Sequence, residues 1–152
     1  MLAARKWQGA ELHELVSRTL APYMSGARRR IVLDGPPVTV PGRAASSLCM
    51  AIHELATNAA KYGSLSTAEG AVSISWAIHD RPDGPWLSLT WQEQGGPSVE
   101  PPAQRGFGSE LIEDGIAFET GGNSVIDYKP EGVVCTIQMS CAEARSLDNE
   151  TL

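Results

Sequence analysis

The sequence predicts an α/β two-layer sandwich (α+β), with a mixed, mostly antiparallel sheet and helices packed on one face. Three observations predict it. Two pairs of alternating runs, "VSISWAI" with "WLSLTW" and "NSVIDYK" with "GVVCTIQM", each flank a turn signal and read as antiparallel hairpins. A long stretch from Pro41 to Tyr62 carries apolar residues at helical spacing. The elements run helix, strands, helix, hairpin, glycine-rich loop, helix, hairpin, an order that stacks helices on a sheet.

Each element has its own signal. From Gln8 to Tyr23, Leu12, Leu15, Val16 and Leu20 recur at helical spacing, and Pro22 and Gly26 mark the end. "RIVLDG" and "PVTV" are short strands around a Gly-Pro-Pro turn. Pro41 suits the first turn of the long helix, and Gly63 is placed to cap its end. "DRPDGP" turns the first hairpin, and the segment Pro130 to Gly132 turns the second. From Gln94 to Gly108 glycine and proline exclude regular structure, and a helix follows from Ser109 to Phe118. The segment after Cys141 is polar and reads as a loose tail.

A chain of 152 residues suits one domain with a single core. Its net charge of −6 gives no general attraction to nucleic acid. The basic run Arg28, Arg29, Arg30 reads as a solvated edge before a strand. Cys49, Cys135 and Cys141 are odd in number and lack CxxC spacing, which fits reduced thiols in a cytoplasmic protein. His13, His53 and His79 offer no zinc-ligand pair with them. No apolar run reaches the roughly 20 residues of a membrane span, and the N-terminus is too polar for a signal peptide. The expectation is a cytoplasmic chain without nucleic-acid or membrane contact.

The long helix has two faces. At about 100° per residue, counted from Glu54, Asn58 falls near 40° and Lys61 near −20°. Leu48, Ile52, Leu55 and Ala59 fall between about 100° and 160°, and these form the buried stripe. His53 flanks the polar stripe. A solvated helix face explains such a stripe equally well, but asparagine is a poor helix former and wants a reason. A carboxylate, an amide oxygen and an ammonium on one stripe can hold magnesium beside a phosphate chain.

Two glycine-rich stretches follow. "WQEQGGP" ends a strand with a carboxylate and paired glycines, and "RGFGSELIEDG" opens a helix. Glycines before a helix N-terminus let backbone N–H groups approach an anion. Neither stretch is a dinucleotide fingerprint or a Walker A loop. Each alone reads equally well as a turn; the ordered combination with the polar helix stripe is more specific.

That combination resembles the GHKL superfamily of ATP-binding domains, with the Bergerat-type fold. More narrowly, it resembles the catalytic domain of HWE-family sensor histidine kinases, which carry a histidine in the N-box helix and Trp-x-Glu in the first glycine box. Here these are His53 in "HELATNAAKYG" and Trp91 and Glu93 in "WQEQGGP". The similarity runs from about Trp7 to Met139.

The resemblance implies ATP and Mg2+ as cofactors and transfer of the γ-phosphoryl group to a histidine. Asn58 matches the magnesium-binding asparagine, Lys61 the phosphate-contacting base and Tyr62 the aromatic beside the adenine. Glu93 matches the acid that accepts from the adenine amino group, and Gly95 and Gly96 match glycines that let the base approach. Arg105, Gly106, Phe107, Gly108 and Ser109 match the second glycine box at the phosphates. Glu54, with His53 and Lys61, makes the catalytic set; His53 either orients Glu54 or packs structurally. The implied partners are a phosphoacceptor histidine domain of the same sensor kinase and a downstream response regulator.

The chain departs from the pattern at Glu110, where the family commonly has a basic residue. A carboxylate there repels phosphate, which favours the alternative of a degenerate module that docks a response regulator. A free-standing gyrase-type ATPase is the other alternative, with Glu54 activating water. No phosphoacceptor pattern is present, so residues 1–24 read as the end of a helical phosphoacceptor region and linker. Residues 25–142 then form the catalytic domain, and residues 143–152 the tail.

Overall fold

The structure is a computed structural model that describes residues 9–24, 30–99, 112, 116 and 121–141. Its elements are β1 (Ala10–Glu11), α1 (Leu12–Met24), β2 (Ile31–Asp34), β3 (Thr39–Val40), α2 (Gly42–Lys61), a 3-10 turn (Ser64–Ser66), β4 (Ala71–Arg81), β5 (Gly84–Gln94), β6 (Asn123–Lys129) and β7 (Gly132–Ser140).

The first helix starts where its exposed N–H groups find a partner. The Glu11 carboxylate accepts from the amides of His13 at 2.8 Å and Glu14 at 3.1 Å. A carboxylate there also complements the helix dipole. Just before it, β1 pairs antiparallel with β3, Ala10 opposite Val40. This two-residue pairing is absent from the sequence expectation, because two residues carry no period.

The main sheet has the order β2-β4-β5-β7-β6. Only β2 and β4 run parallel, Ile31 opposite Val72, and α2 lies in the connection between them. The remaining pairs are antiparallel. Arg81 and Gly84 close the β4–β5 hairpin around Pro82-Asp83, and Gly84 takes φ 121°. The Arg81 guanidinium lies 4.0 Å over the Trp86 ring, whose indole donates to Asp83 at 2.9 Å. Both expected hairpins are therefore present, with the expected turns.

Alternation along the strands sends one set of side chains toward the helices. Ile74 and Trp76 of β4, Leu87, Leu89 and Trp91 of β5, and Ile137 and Met139 of β7 are buried. Helix α2 answers with Leu48, Ile52, Leu55 and Ala59, the stripe expected from its periodicity, and with Ala44, Ala45, Ala51 and Ala56 beside it. Helix α1 contributes Leu12, Val16 and Leu20 to the same core. The expected division after residue 24 thus falls between a helix and the core it helps to fill. The Gly-Pro-Pro turn packs against Trp76, whose indole donates to the Pro36 carbonyl at 2.8 Å.

The helix expected over 109–118 lies largely outside the described residues. Ile112 and Ile116 are described, and both are helical and buried. The C-terminal tail also lies outside them. Arg30 departs from the solvated-edge expectation: it is half-buried, and its guanidinium donates to the Ser64 carbonyl at 3.4 Å. The three cysteines are free, and burial pushes the Cys141 thiol up. No helix among the described residues is long and apolar enough to cross a membrane.

Truncating the buried stripe removes contacts the core cannot replace. Ile52→Ala is expected to cost about 2–5 kcal/mol, whereas Met50→Ala, one helical face away and exposed, stays within about 0.5 kcal/mol. Urea unfolding followed by circular dichroism measures both, and similar midpoints would contradict the assigned faces.

Candidate functional site

Helix α2 ends in a tight reversal. Tyr62 is its C-terminal flanking residue, and the amides of Tyr62 and Gly63 donate to the carbonyls of Asn58 and Ala59. Gly63, expected to cap the helix, directly follows that flanking residue; it has φ −111° and ψ −148°, which other residues can adopt. Its small size matters for a different reason: a Cβ there would collide with Oε1 of Glu93.

Glu93 is the centre of the site. It sits near the C-terminal end of β5, the middle strand of five, and is 4% exposed. Its Oε1 accepts from the Ser64 amide at 3.0 Å, and its Oε2 accepts from the Trp91 indole at 3.1 Å. Trp91 and Glu93 are two apart on one strand, so both face inward. A carboxylate has about four lone-pair sites; two donors leave it capacity for another. Here the structure supplies what the Trp-x-Glu spacing means: the tryptophan holds the acid in place.

The paired glycines close over the same reversal. Gly95 takes φ 73°, and a Cβ there would lie 2.8 Å from the Glu69 carbonyl oxygen. A Cβ on Gly96 would lie 2.6 Å from Cα of Ser64. The space these glycines leave is therefore taken by the chain's own backbone over residues 63–70.

The polar stripe of α2 leads into this corner. Asn58, Lys61 and Tyr62 are exposed, Tyr62 by 75%. Glu54 is half-buried, one helical turn before Asn58. No described residue bonds the Asn58 side chain, so its amide oxygen is open to a hard cation that keeps its own waters. The stripe alone gathers no cluster of three metal-ligating side chains among the described residues. A single amide oxygen beside phosphate oxygens is nevertheless a donor set that suits magnesium.

His53 stands apart from that corner. It lies on the α1 side of the helix, its ring edge-on to Tyr23 with centroids 6.3 Å apart. The Tyr23 hydroxyl is 2.9 Å from Thr57 Oγ1, which donates to the His53 carbonyl. With Glu54, Arg18, Cys49 and Met50, His53 lines an open groove of about 820 Å³ between α1 and α2. Arg105, Gly106, Phe107, Gly108, Ser109 and Glu110 lie outside the described residues. Sequence reasoning missed Ser64, which is buried just beyond the helix end and carries no signal of its own in "KYGSLS".

This is the catalytic-domain fold of histidine kinases. The catalytic domain of histidine kinase ThkA superposes with a TM-score of 0.63 at 15% identity, covering 87% of this chain and 94% of that one. The histidine kinase domain of a blue-light-activated kinase, EL346 of Erythrobacter litoralis, gives a TM-score of 0.59 at 16% identity, over 87% of this chain and 66% of that one.

The sequence narrows the class. Residues 1–37 match the family HWE histidine kinase. A blue-light-activated histidine kinase of Brucella anthropi is 36% identical over 137 residues, 90% of this chain and 28% of that protein. Its counterpart in Brucella ovis is 35% identical over the same length. The chain is related to the HWE histidine kinases, and it spans 28% of the length of these relatives.

Two substitutions check the Glu93 clamp. Trp91→Phe keeps most of the ring volume and removes the N–H, so a buried carboxylate loses a donor at a cost of about 1–3 kcal/mol. Gly63→Ala forces the carboxylate aside and is expected to cost about 1–3 kcal/mol. Denaturant melts of both variants should show the loss; a wild-type midpoint for either would remove that contact from the account.

Proposed function

We propose that this chain is the ATP-binding catalytic domain of a two-component sensor histidine kinase. It binds Mg-ATP and passes the γ-phosphoryl group to a histidine outside this chain. The observation that carries this reading is Glu93: a buried carboxylate, held at both oxygens, at the end of an exposed Asn58–Lys61–Tyr62 stripe. A carboxylate fixed in that way accepts from an exocyclic amine and repels a carbonyl, so it selects adenine over guanine.

The residues divide the remaining work. Asn58 would hold Mg2+, which supplies charge neutralisation across the phosphates when bound. Lys61 presents a point charge to the phosphate oxygens. Tyr62 is the apolar surface beside the base, and Gly95 and Gly96 let the 63–70 reversal close against the end of β5 next to it. Arg105 to Ser109 are assigned to the phosphate end on the sequence resemblance alone. Glu54 orients the accepting imidazole, and the edge contact with Tyr23 supports a packing role for His53. Catalysis of this kind is positioning and charge neutralisation, which asks little covalent chemistry of the protein.

A phosphoacceptor histidine domain of the same kinase and a downstream response regulator are the partners that this activity requires. Free cysteines and an ATP requirement both support a cytoplasmic setting.

Calorimetric titration with a non-hydrolysable ATP analogue and magnesium should give saturable binding. Glu93→Ala should weaken it at least tenfold, the loss of a hydrogen bond to a charged group. Asn58→Ala should remove its magnesium dependence while leaving the fold intact by circular dichroism. Absence of binding at millimolar nucleotide would overturn the reading.

A further inference from the structure

Ser64 stands out among the buried polar residues. It is 2% exposed, and its main chain is fully committed: the amide donates to Glu93 and the carbonyl accepts from Arg30. Its hydroxyl is buried and has no hydrogen-bond partner among the described residues. On the same reversal, Thr67 Oγ1 is also buried without a partner. A buried hydroxyl left unpaired costs about 1–3 kcal/mol. Alanine at this position would avoid that cost with no loss of volume the core needs. Serine here is therefore explained only if the hydroxyl meets a partner in some state of the protein.

The surroundings say which partner. Ser64 is packed under Gly96, so backbone closes over it on the side of the glycine pair. The same residue holds Glu93 through its amide, which places a rotatable hydroxyl beside a fixed carboxylate. A carboxylate only accepts, whereas a hydroxyl can donate. An acceptor and a donor side by side match an amine next to a ring nitrogen, the edge that adenine presents. Guanine presents the reverse, a carbonyl next to a ring N–H.

We propose that Ser64 is a specificity-determining residue of the base site, its hydroxyl donating to the purine ring nitrogen that neighbours the amine taken by Glu93. The proposal deepens the nucleotide-binding reading above and rests on it. It assigns base recognition to two groups that arrive from different elements, the α2–β4 connection and β5.

The test is a cycle on both protein and ligand. The non-hydrolysable ATP analogue is compared by calorimetry with its 1-deaza counterpart, in which that ring nitrogen is replaced by C–H. Wild-type protein should bind the 1-deaza compound about fivefold to tenfold more weakly, one hydrogen bond. Ser64→Ala should lose a similar factor for the normal analogue and little for the 1-deaza compound, so the ratio falls to near one. Equal losses for both ligands in Ser64→Ala would mark Ser64 as structural and overturn the proposal. Equal affinities in the wild type would overturn it without any variant. If the wild type binds neither compound, the nucleotide reading itself fails, and the proposal with it.

Discussion

The carboxylate of Glu93 ties the end of α2 to the middle of the sheet. One oxygen takes the Ser64 amide just beyond the helix, and the other takes the indole of its own strand. Each bond spans a different scale: Ser64 is 29 residues away, and Trp91 only two. The glycines at 63, 95 and 96 follow from this contact, because side chains there would push the reversal off the strand. The close packing of Gly132 against the Glu93 carbonyl extends the constraint to β7. Four glycines thus crowd this corner, one against the carboxylate and three against the backbone around it.

The hydrophobic layer has a simpler logic. Strand alternation and helix periodicity place Ile74, Leu89, Trp91 and Ile137 opposite Leu48, Ile52 and Leu55. The layer needs no specific partner at any one position, only apolar volume at the right period. The site depends on it indirectly: α2 must lie flat on the sheet for its polar stripe to reach the Glu93 corner.

Legibility in the sequence follows the same distinction. The bounds of α2 and of the second hairpin were readable within a residue or two, because periodic runs end at proline or glycine, whereas both strands of the first hairpin run three residues beyond their alternating cores, to Arg81 and Gln94. The β1–β3 pair was not readable, since two residues show no period and their partner lies across α1. At the site, the Trp91–Glu93 contact was within reach, because residues two apart on a strand share a face. Ser64 and Gly63 were beyond reach: their neighbours are set by how the chain folds back, and "KYGSLS" alone reads as a helix end. The same holds for Arg30, whose half-buried position depends on a carbonyl 34 residues away.

The indole of Trp91 has a use beyond holding a carboxylate. Among the described tryptophans, Trp76 bonds a turn carbonyl and Trp86 sits at a hairpin. Trp91 alone of these three has its N–H on an ionisable side chain at the candidate site. Tryptophan emission responds to charge and polarity around the ring. The protein therefore carries a built-in optical reporter on the surroundings of Glu93.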